Sequence, residues 1–277
     1  MITPLVKWAG GKRQLLRELE LRLPEEWNTY YEPFVGGGAL TVHLYNHKRL
    51  GPAVIADLNK ELVNLYTIVK EDPEGLIHAI SDEKFVNDED SFNALKAEFN
   101  SLIESPGNSA ERAALLLYLN KHGFNGLWRV NRKGKFNVPF GRYARQTIPT
   151  AESIRKFSTL LRKVKILNED FETVAKKAKK GDFVYFDPPY HPVSRTASFT
   201  DYNSTGFRIG DQQRLAGVCK NLTKKKVNFM LSNSNVPEIE ELYTDFHTEE
   251  VLAKRFINCK GEKRYGASEI IVTNYAY

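Results

Sequence analysis

The sequence predicts an α/β fold, a mostly parallel sheet interrupted by an inserted and largely helical domain. Three observations carry that expectation. Short strand-forming segments alternate with helically periodic ones near both ends of the chain, the rhythm of a parallel sheet. The rhythm breaks from about Leu62 to Thr150, where helical spacing passes into a basic stretch rich in Gly and Asn. Two strand-like segments end in an acid, at Asp57 and Asp187, and the carboxyl edge of such a sheet is where these folds bind ligands. The expected division is therefore 1–61 and 151–277 for the sheet domain, with 62–150 inserted.

In chain order, helical periodicity at Leu15–Leu23 precedes a short strand at Tyr30–Pro33. Glu32-Pro-Phe-Val-Gly-Gly-Gly38 then opens the apolar helical run Ala39–Tyr45. Glycines there let the backbone turn tightly and approach a ligand. The next strand, Ala53–Asp57, ends in an acid 21 residues after Gly36, about the interval at which nucleotide-binding folds place a carboxylate on ribose hydroxyls. A plain strand–helix connection can carry the same glycines. With the acid in place they point to a nucleoside cofactor, and the incomplete G-x-G-x-x-G pattern argues against a dinucleotide. Helices are expected at Leu62–Val69 and Ala113–Leu119 inside the insertion, and at Ile154–Leu161, Gln212–Leu222 and Ile239–Leu242 after it. Strands are expected at Val164–Asn168, Phe183–Phe186, Val227–Ser232 and Glu269–Asn274, and a mobile loop at His191–Gly206.

Composition excludes several classes. Of 277 residues, 42% are hydrophobic and 27% charged, ordinary for a soluble globular chain. No run approaches the roughly 18 apolar residues of a membrane span, and no secretory signal is visible. Cys219 and Cys259 lie far apart, so neither a disulfide framework nor a zinc site is expected and a cytoplasmic location is the default. His43 and His47 are four apart, but one such pair is no metal site, and none is expected.

The net charge of +6 is unevenly spread. Between Glu111 and Glu152 lie 40 residues without an acid and with eight basic ones: Arg112, Lys121, Arg129, Arg132, Lys133, Lys135, Arg142 and Arg145. The rest of the chain has 32 basic against 34 acidic residues. A solvated face is the bland explanation. Here Phe124, Trp128, Phe136, Phe140 and Tyr143 alternate with the charges, and Asn125, Asn131 and Asn137 interrupt them. Cations for phosphates, rings for bases and amides for base edges are the ingredients of a nucleic-acid surface.

Trp-Ala-Gly-Gly-Lys12 is not a phosphate-binding P-loop, because Val6 and Arg13 stand where Gly and Ser or Thr are required. Val184-Tyr-Phe-Asp-Pro-Pro-Tyr190 is more informative. Pro188 and Pro189 remove two backbone donors and fix two φ angles, so the Pro188 carbonyl can stand beside Asp187 as a rigid acceptor. Two acceptors suit an amino group with two hydrogens, and the Tyr190 ring offers a face for a planar base. Together they describe a receptor for the exocyclic amine of a nucleobase.

At this point the chain resembles the DNA adenine methyltransferases of the Dam group, and among them the DpnM-like enzymes. Lys7-Trp-Ala-Gly-Gly-Lys12, Glu32-Pro-Phe-Val-Gly-Gly-Gly38, Asn168-Glu-Asp-Phe171 and Asp187-Pro-Pro-Tyr190 recur in that family's order over nearly the whole chain. Phe124-Asn-Gly-Leu-Trp-Arg129 and Phe136-Asn-Val-Pro-Phe-Gly141 are similar to its DNA-recognition segment. The resemblance implies a Rossmann-like methyltransferase sheet with an inserted DNA-recognition domain. It implies S-adenosylmethionine surrounded by Trp8, Lys12, Glu32, Phe34, Gly36, Gly38 and Asp187, with Asp57 on its ribose and Asp170 and Phe171 framing its adenine. It implies Phe124 as a wedge in the base stack, where some members carry Tyr, Leu127 and Pro139 on thymine methyls, and Lys7 and Arg129 on guanines. Asn125, Lys133, Lys135, Asn137 and Arg142 complete the expected DNA-binding set, the two lysines on phosphates around a turn at Gly134.

The activity so implied is methyl transfer to adenine N6 within GATC of double-stranded DNA, after base flipping, by a cytoplasmic enzyme without metal that is expected to be a monomer. Asp187, Pro188, Pro189 and Tyr190 would be its catalytic residues. A restriction–modification partner, a phage enzyme and a regulatory enzyme fit equally well. A methyltransferase acting on RNA or another amine, or a catalytically silent DNA-binding module, stays open beside it.

Overall fold

The computed structural model describes residues 1–8, 10–102, 109–145, 148–190, 207–253 and 267–277. The loop expected at His191–Gly206 lies outside them, as does Cys259. Seven strands, β1 Tyr30–Glu32, β2 Ala53–Ala56, β3 Val164–Leu167, β4 Phe183–Phe186, β5 Asn228–Ser234, β6 His247–Ala253 and β7 Ala267–Thr273, are ordered β3-β2-β1-β4-β5-β7-β6. The strands β2, β1, β4 and β5 pair in parallel. β7 runs antiparallel to β5, and β6 antiparallel to β7. The fold is the expected mostly parallel α/β sheet.

The chain forms two compact units, each assembled from three stretches. One comprises Met1–Gly11, Gly36–Leu50 and Asp57–Asn168, the other Lys12–Val35, Gly51–Ala56 and Glu169–Tyr277. The expected insertion, 62–150, lies inside the first.

That first unit holds α2 Ala39–Asn46, α3 Lys60–Glu71, α4 Pro73–Ile80, α5 Glu89–Leu102, α6 Ala110–His122, α7 Ala151–Leu161 and β3. At its centre α6 is buried continuously from Arg112 to Asn120 and packs on α3, α4 and α5, which is why it is apolar all round and not striped. Side-chain caps set the helix starts: Asn59 accepts from Glu61 and Leu62 before α3, Asp72 from Gly75 before α4, and Ser109 from Arg112 before α6. The sequence reading passed over α4 and α5. In α5 only Phe92, Leu95 and Phe99 are buried among polar neighbours, a stripe too narrow to stand out.

The second unit holds the other six strands with α1 Leu16–Leu21, α8 Phe171–Lys176, α9 Ile209–Lys224 and α10 Pro237–Glu240. Phe-Val-Tyr-Phe of β4 is buried at every residue, the pattern of a parallel strand covered on both faces. Each such side chain contributes roughly 1.5–3 kcal/mol through burial. β6 was missed by the sequence reading because, as an edge strand, it carries His-Thr-Glu-Glu and leaves Leu252 exposed. An edge strand needs no apolar pair of faces. Among the described residues no helix is long and apolar enough to cross a membrane.

Candidate functional site

In the second unit, Asp187 follows directly on β4. Parallel pairing of Phe186 with Leu231 brings Ser232 alongside the acid, and Ser232 Oγ donates to Asp187 Oδ1 at 3.2 Å. The Tyr185 hydroxyl lies 3.0 Å from the same Ser232 oxygen. Lys12 Nζ sits 2.8 Å from Asp187 Oδ1 and 4.3 Å from the centre of the Tyr190 ring. The Tyr190 hydroxyl donates to Glu269 Oε2 at 2.6 Å. On the far side of the motif, Gln212 Nε2 donates to the Pro189 carbonyl at 3.0 Å, and Asn233 Nδ2 donates to Gln212 Oε1 at 3.0 Å. Pro188 is buried. Burial pushes the Asp187 carboxyl above the usual carboxylate range, with the Lys12 ammonium opposing. Burial, then Asp187 and Glu269, push the Tyr190 phenol well up, so it stays protonated and donates.

The same unit gathers an aromatic group. The rings of Phe34 and Phe171 stack at 5.3 Å, and Phe207 packs against both at 5.7 and 5.8 Å. The Arg214 guanidinium covers Phe171 at 4.3 Å and forks onto Asp170 at 2.9 and 3.0 Å. Asp170 also caps α8 by accepting from Glu172 N, so its carboxylate is already engaged. Glu32, buried at the end of β1, accepts from the Tyr30 hydroxyl at 2.9 Å.

In the first unit, Gly36 and Gly38 have φ of +46° and +68°, left-handed values that favour glycine. A Cβ on Gly36 would stand 2.8 Å from Trp8 Cδ1, so the turn needs glycine on both counts. Asp57 accepts from Gly36 N through Oδ2 at 3.0 Å and from Asn59 N through Oδ1 at 2.8 Å. It therefore ties the glycine turn to the start of α3. Burial raises its pKa against those two bonds.

The basic segment belongs to the same unit. Residues 129–137 form a hairpin bridged at Val130 and Phe136, with Asn131 Oδ1 accepting from Lys133 N and Lys135 N across a turn at Gly134. Lys133 and Lys135 are exposed on this turn, as expected. Asn100 on α5 holds the strand after it, its amide bonding both N and O of Phe136 at 2.7 and 3.0 Å. Arg129 Nε and Nη2 donate to the side chain and carbonyl of Asn137 at 2.8 and 3.0 Å. Ahead of the hairpin, Asn120 grips Lys7 N and O and also bonds the Gly126 carbonyl. Asn125, with φ of 55°, donates its N–H to the Tyr143 hydroxyl at 2.7 Å. Lys7, Asn137, Pro139 and Arg142 are exposed, and Arg142 pairs with Glu89 at 3.0 Å.

Two sequence expectations need correction here. The interleaved aromatics are not all available to bases: Phe124 is 47% exposed, but Phe136 is buried and Trp128 packs on Trp8, Phe99 and Phe136. They build the core under the hairpin. Leu127 is buried too. Nor does Arg112 add to the basic surface, since it is buried in an ion pair with Glu61.

The family model described as D12 class N6 adenine-specific DNA methyltransferase matches residues 8–257. The chain belongs to that family. It is 44% identical over 276 residues to the Type II methyltransferase M1.LlaDCHI of Lactococcus lactis subsp. cremoris, covering 99% of this chain and 96% of that protein. It is 41% identical to the Type II methyltransferase M.MjaIII of Methanocaldococcus jannaschii, over 99% of both chains. Identity to the DNA adenine methylase of Haemophilus influenzae is 35%, over 97% of this chain and 92% of that one. As a D12 class methyltransferase the protein transfers a methyl group from a donor to adenine in DNA.

In this D12 class enzyme the sequence motifs located Asp187 and Tyr190 but not the residues that hold them. Ser232, Asn233 and Glu269 lie on strands without a local motif and are brought in by the β4–β5–β7 register, while Gln212 reaches the motif from α9. Asn100 and Asn120 leave no local signal either, because a side-chain amide gripping remote backbone follows no sequence pattern.

Proposed function

We propose that this methyltransferase transfers the methyl group of S-adenosylmethionine to N6 of an adenine flipped out of double-stranded DNA, within GATC. The observation that carries the reading is the Asp187-Pro-Pro-Tyr190 motif, held from β5 and β7 through Ser232 and Glu269 and from α9 through Gln212. Bound S-adenosylmethionine supplies an electrophilic methyl group on a sulfonium. Asp187 and the Pro188 carbonyl accept hydrogen bonds from the two N6 hydrogens, which keeps the nitrogen lone pair out of the ring and directs it at the methyl group. Once the nitrogen is methylated, one of those hydrogens leaves as a proton along its hydrogen bond to Asp187. Tyr190 stacks on the base and offsets the few kcal/mol that flipping costs, by roughly 1–3 kcal/mol. Positioning of this kind supplies most of the rate.

Each unit by itself offers groups that suit part of a nucleoside sulfonium. Asp57 is a carboxylate for the ribose hydroxyls beside a left-handed glycine turn, and the Phe34–Phe171 pair provides ring faces for adenine. Trp8, Lys12, Glu32, Gly36, Gly38 and Asp170 complete the proposed donor-binding set. Exposed Phe124 is the wedge. Arg129 and Lys7 read guanines, Pro139 meets a thymine methyl, and Lys133 and Lys135 contact phosphates, with Asn125, Asn137 and Arg142 beside them. GATC rests on the likeness of Phe124–Arg129 and Phe136–Gly141 to the Dam-group recognition segment.

The test is digestion of DNA from expressing cells with endonucleases that differ in sensitivity to GATC methylation, together with 2-aminopurine fluorescence at the target adenine. Protection at GATC and a fluorescence rise on binding are expected. Adenine methylation found only outside GATC would remove the proposed site. A silent 2-aminopurine signal on productive binding would remove flipping.

A further inference from the structure

Glu269 belongs to none of the sequence motifs, yet it meets the motif on which the chemistry turns. The residue is 7% exposed, and its carboxylate accepts from the Tyr190 hydroxyl at 2.6 Å. The antiparallel ladder explains how it gets there. β5 and β7 pair Ser232 with Ile271 and Ser234 with Glu269, and alternation with period two places Ser232 and Glu269 on one face. That face offers Asp187 a donor, Ser232, and Tyr190 an acceptor, Glu269. A buried carboxylate is costly without hydrogen bonds, and an O–H to carboxylate bond is among the strong ones. Such a bond at the far end of a tyrosine anchors the long axis of its ring, and the hydroxyl's preference to lie in the ring plane biases that plane.

We propose that Glu269 is a positioning residue for methyl transfer, holding the Tyr190 ring through its hydroxyl in the orientation on which the target adenine stacks. The inference rests on the stacking role given to Tyr190 above. It assigns Glu269 no contact with the substrate. Lys12, over the same ring, pairs with Asp187.

The experiment compares Tyr190→Phe, Glu269→Ala, Glu269→Gln and the double variant Tyr190→Phe with Glu269→Ala, by single-turnover methylation of a one-site duplex. Thermal melting accompanies each variant. Tyr190→Phe and Glu269→Ala should each slow the step roughly ten- to hundredfold, the span of a hydrogen bond to a charged group. The double variant should be no slower than the slower single, because both remove one bond. Glu269→Gln, whose amide oxygen still accepts, should keep most of the rate. Losses that multiply in the double variant, or a wild-type rate for Tyr190→Phe, would overturn the positioning role. If Glu269→Ala fails to fold, Glu269→Gln compared in wild-type and Tyr190→Phe backgrounds decides: any loss it causes must vanish in the second. Tyr190→Ala tests the stacking role separately, since a wild-type rate there sinks that role while the Glu269 comparison is read on its own.

Discussion

Asp187 stands in two opposing fields. Burial raises its pKa and Lys12, at 2.8 Å, pulls it back. The ionised acid is the stronger acceptor for an amine, so the methylation rate should fall as pH drops through a value above the ordinary 3.9 or so of aspartate. Lys12→Met removes the opposing charge and should move that acid limb further upward. Single-turnover rates measured against pH decide it, and an unmoved limb would deny Lys12 its influence. Asp57 makes a different case. Its two oxygens satisfy two backbone N–H groups, each costing roughly 1–3 kcal/mol when left unpaired in a buried site. Asp57→Ala should therefore lower the melting temperature of the enzyme without donor, as well as weaken donor binding. An unchanged Tm with weakened binding would make Asp57 a ligand contact alone.

Elements show where sequence speaks plainly. β4 and the core of α6 are legible because burial on all sides demands unbroken apolar runs. The glycine turn is legible because left-handed backbone at Gly36 and Gly38 favours one residue type. β6 and α5 are not, since an edge strand and a narrowly buried helix obey weaker rules. The hairpin at 129–137 was read as a basic loop, and its turn at Gly134 was visible, but the clamp from Asn100 was not. Asn100→Ala should loosen that hairpin while leaving donor affinity intact. Discrimination between GATC and single-base variants should narrow, as scored by methylation of a duplex panel. Full discrimination in the variant would show that the hairpin keeps its form without α5.

For the molecule as a whole, charge is the legible property. The basic excess falls in one acid-free segment, and there Lys133 and Lys135 project from the exposed turn while Arg129 is braced by Asn137. The two kinds of cation should separate in experiment. Lys135→Ala should weaken all duplexes alike and reduce the salt slope of binding by roughly one unit. Asn137→Ala should unseat Arg129 and relax preference at one base pair, about 1–3 kcal/mol of discrimination for a bidentate arginine–guanine contact. Equal loss on every sequence would withdraw the base-reading role. The interleaving of the chain was not legible: an insertion at 62–150 was read, yet the unit that contains it also takes Met1–Gly11 and Gly36–Leu50. Sequence order hides this because the joining contacts, such as Trp8 on Trp128 and Asn120 on Lys7, link stretches more than a hundred residues apart.

The grip of Asn120 on Lys7 and Gly126 spans 113 residues of sequence, and it has a meaning for descent. If the proposed recognition segment were exchanged between relatives as 57–168 alone, the arm that carries Lys7 would stay behind. A graft that imports 57–168 but keeps a foreign N-terminal arm would join an amide to a backbone course it did not evolve with. Under the proposed DNA-reading role, a chimera that carries both stretches should keep its donor's specificity where a single swap loses it.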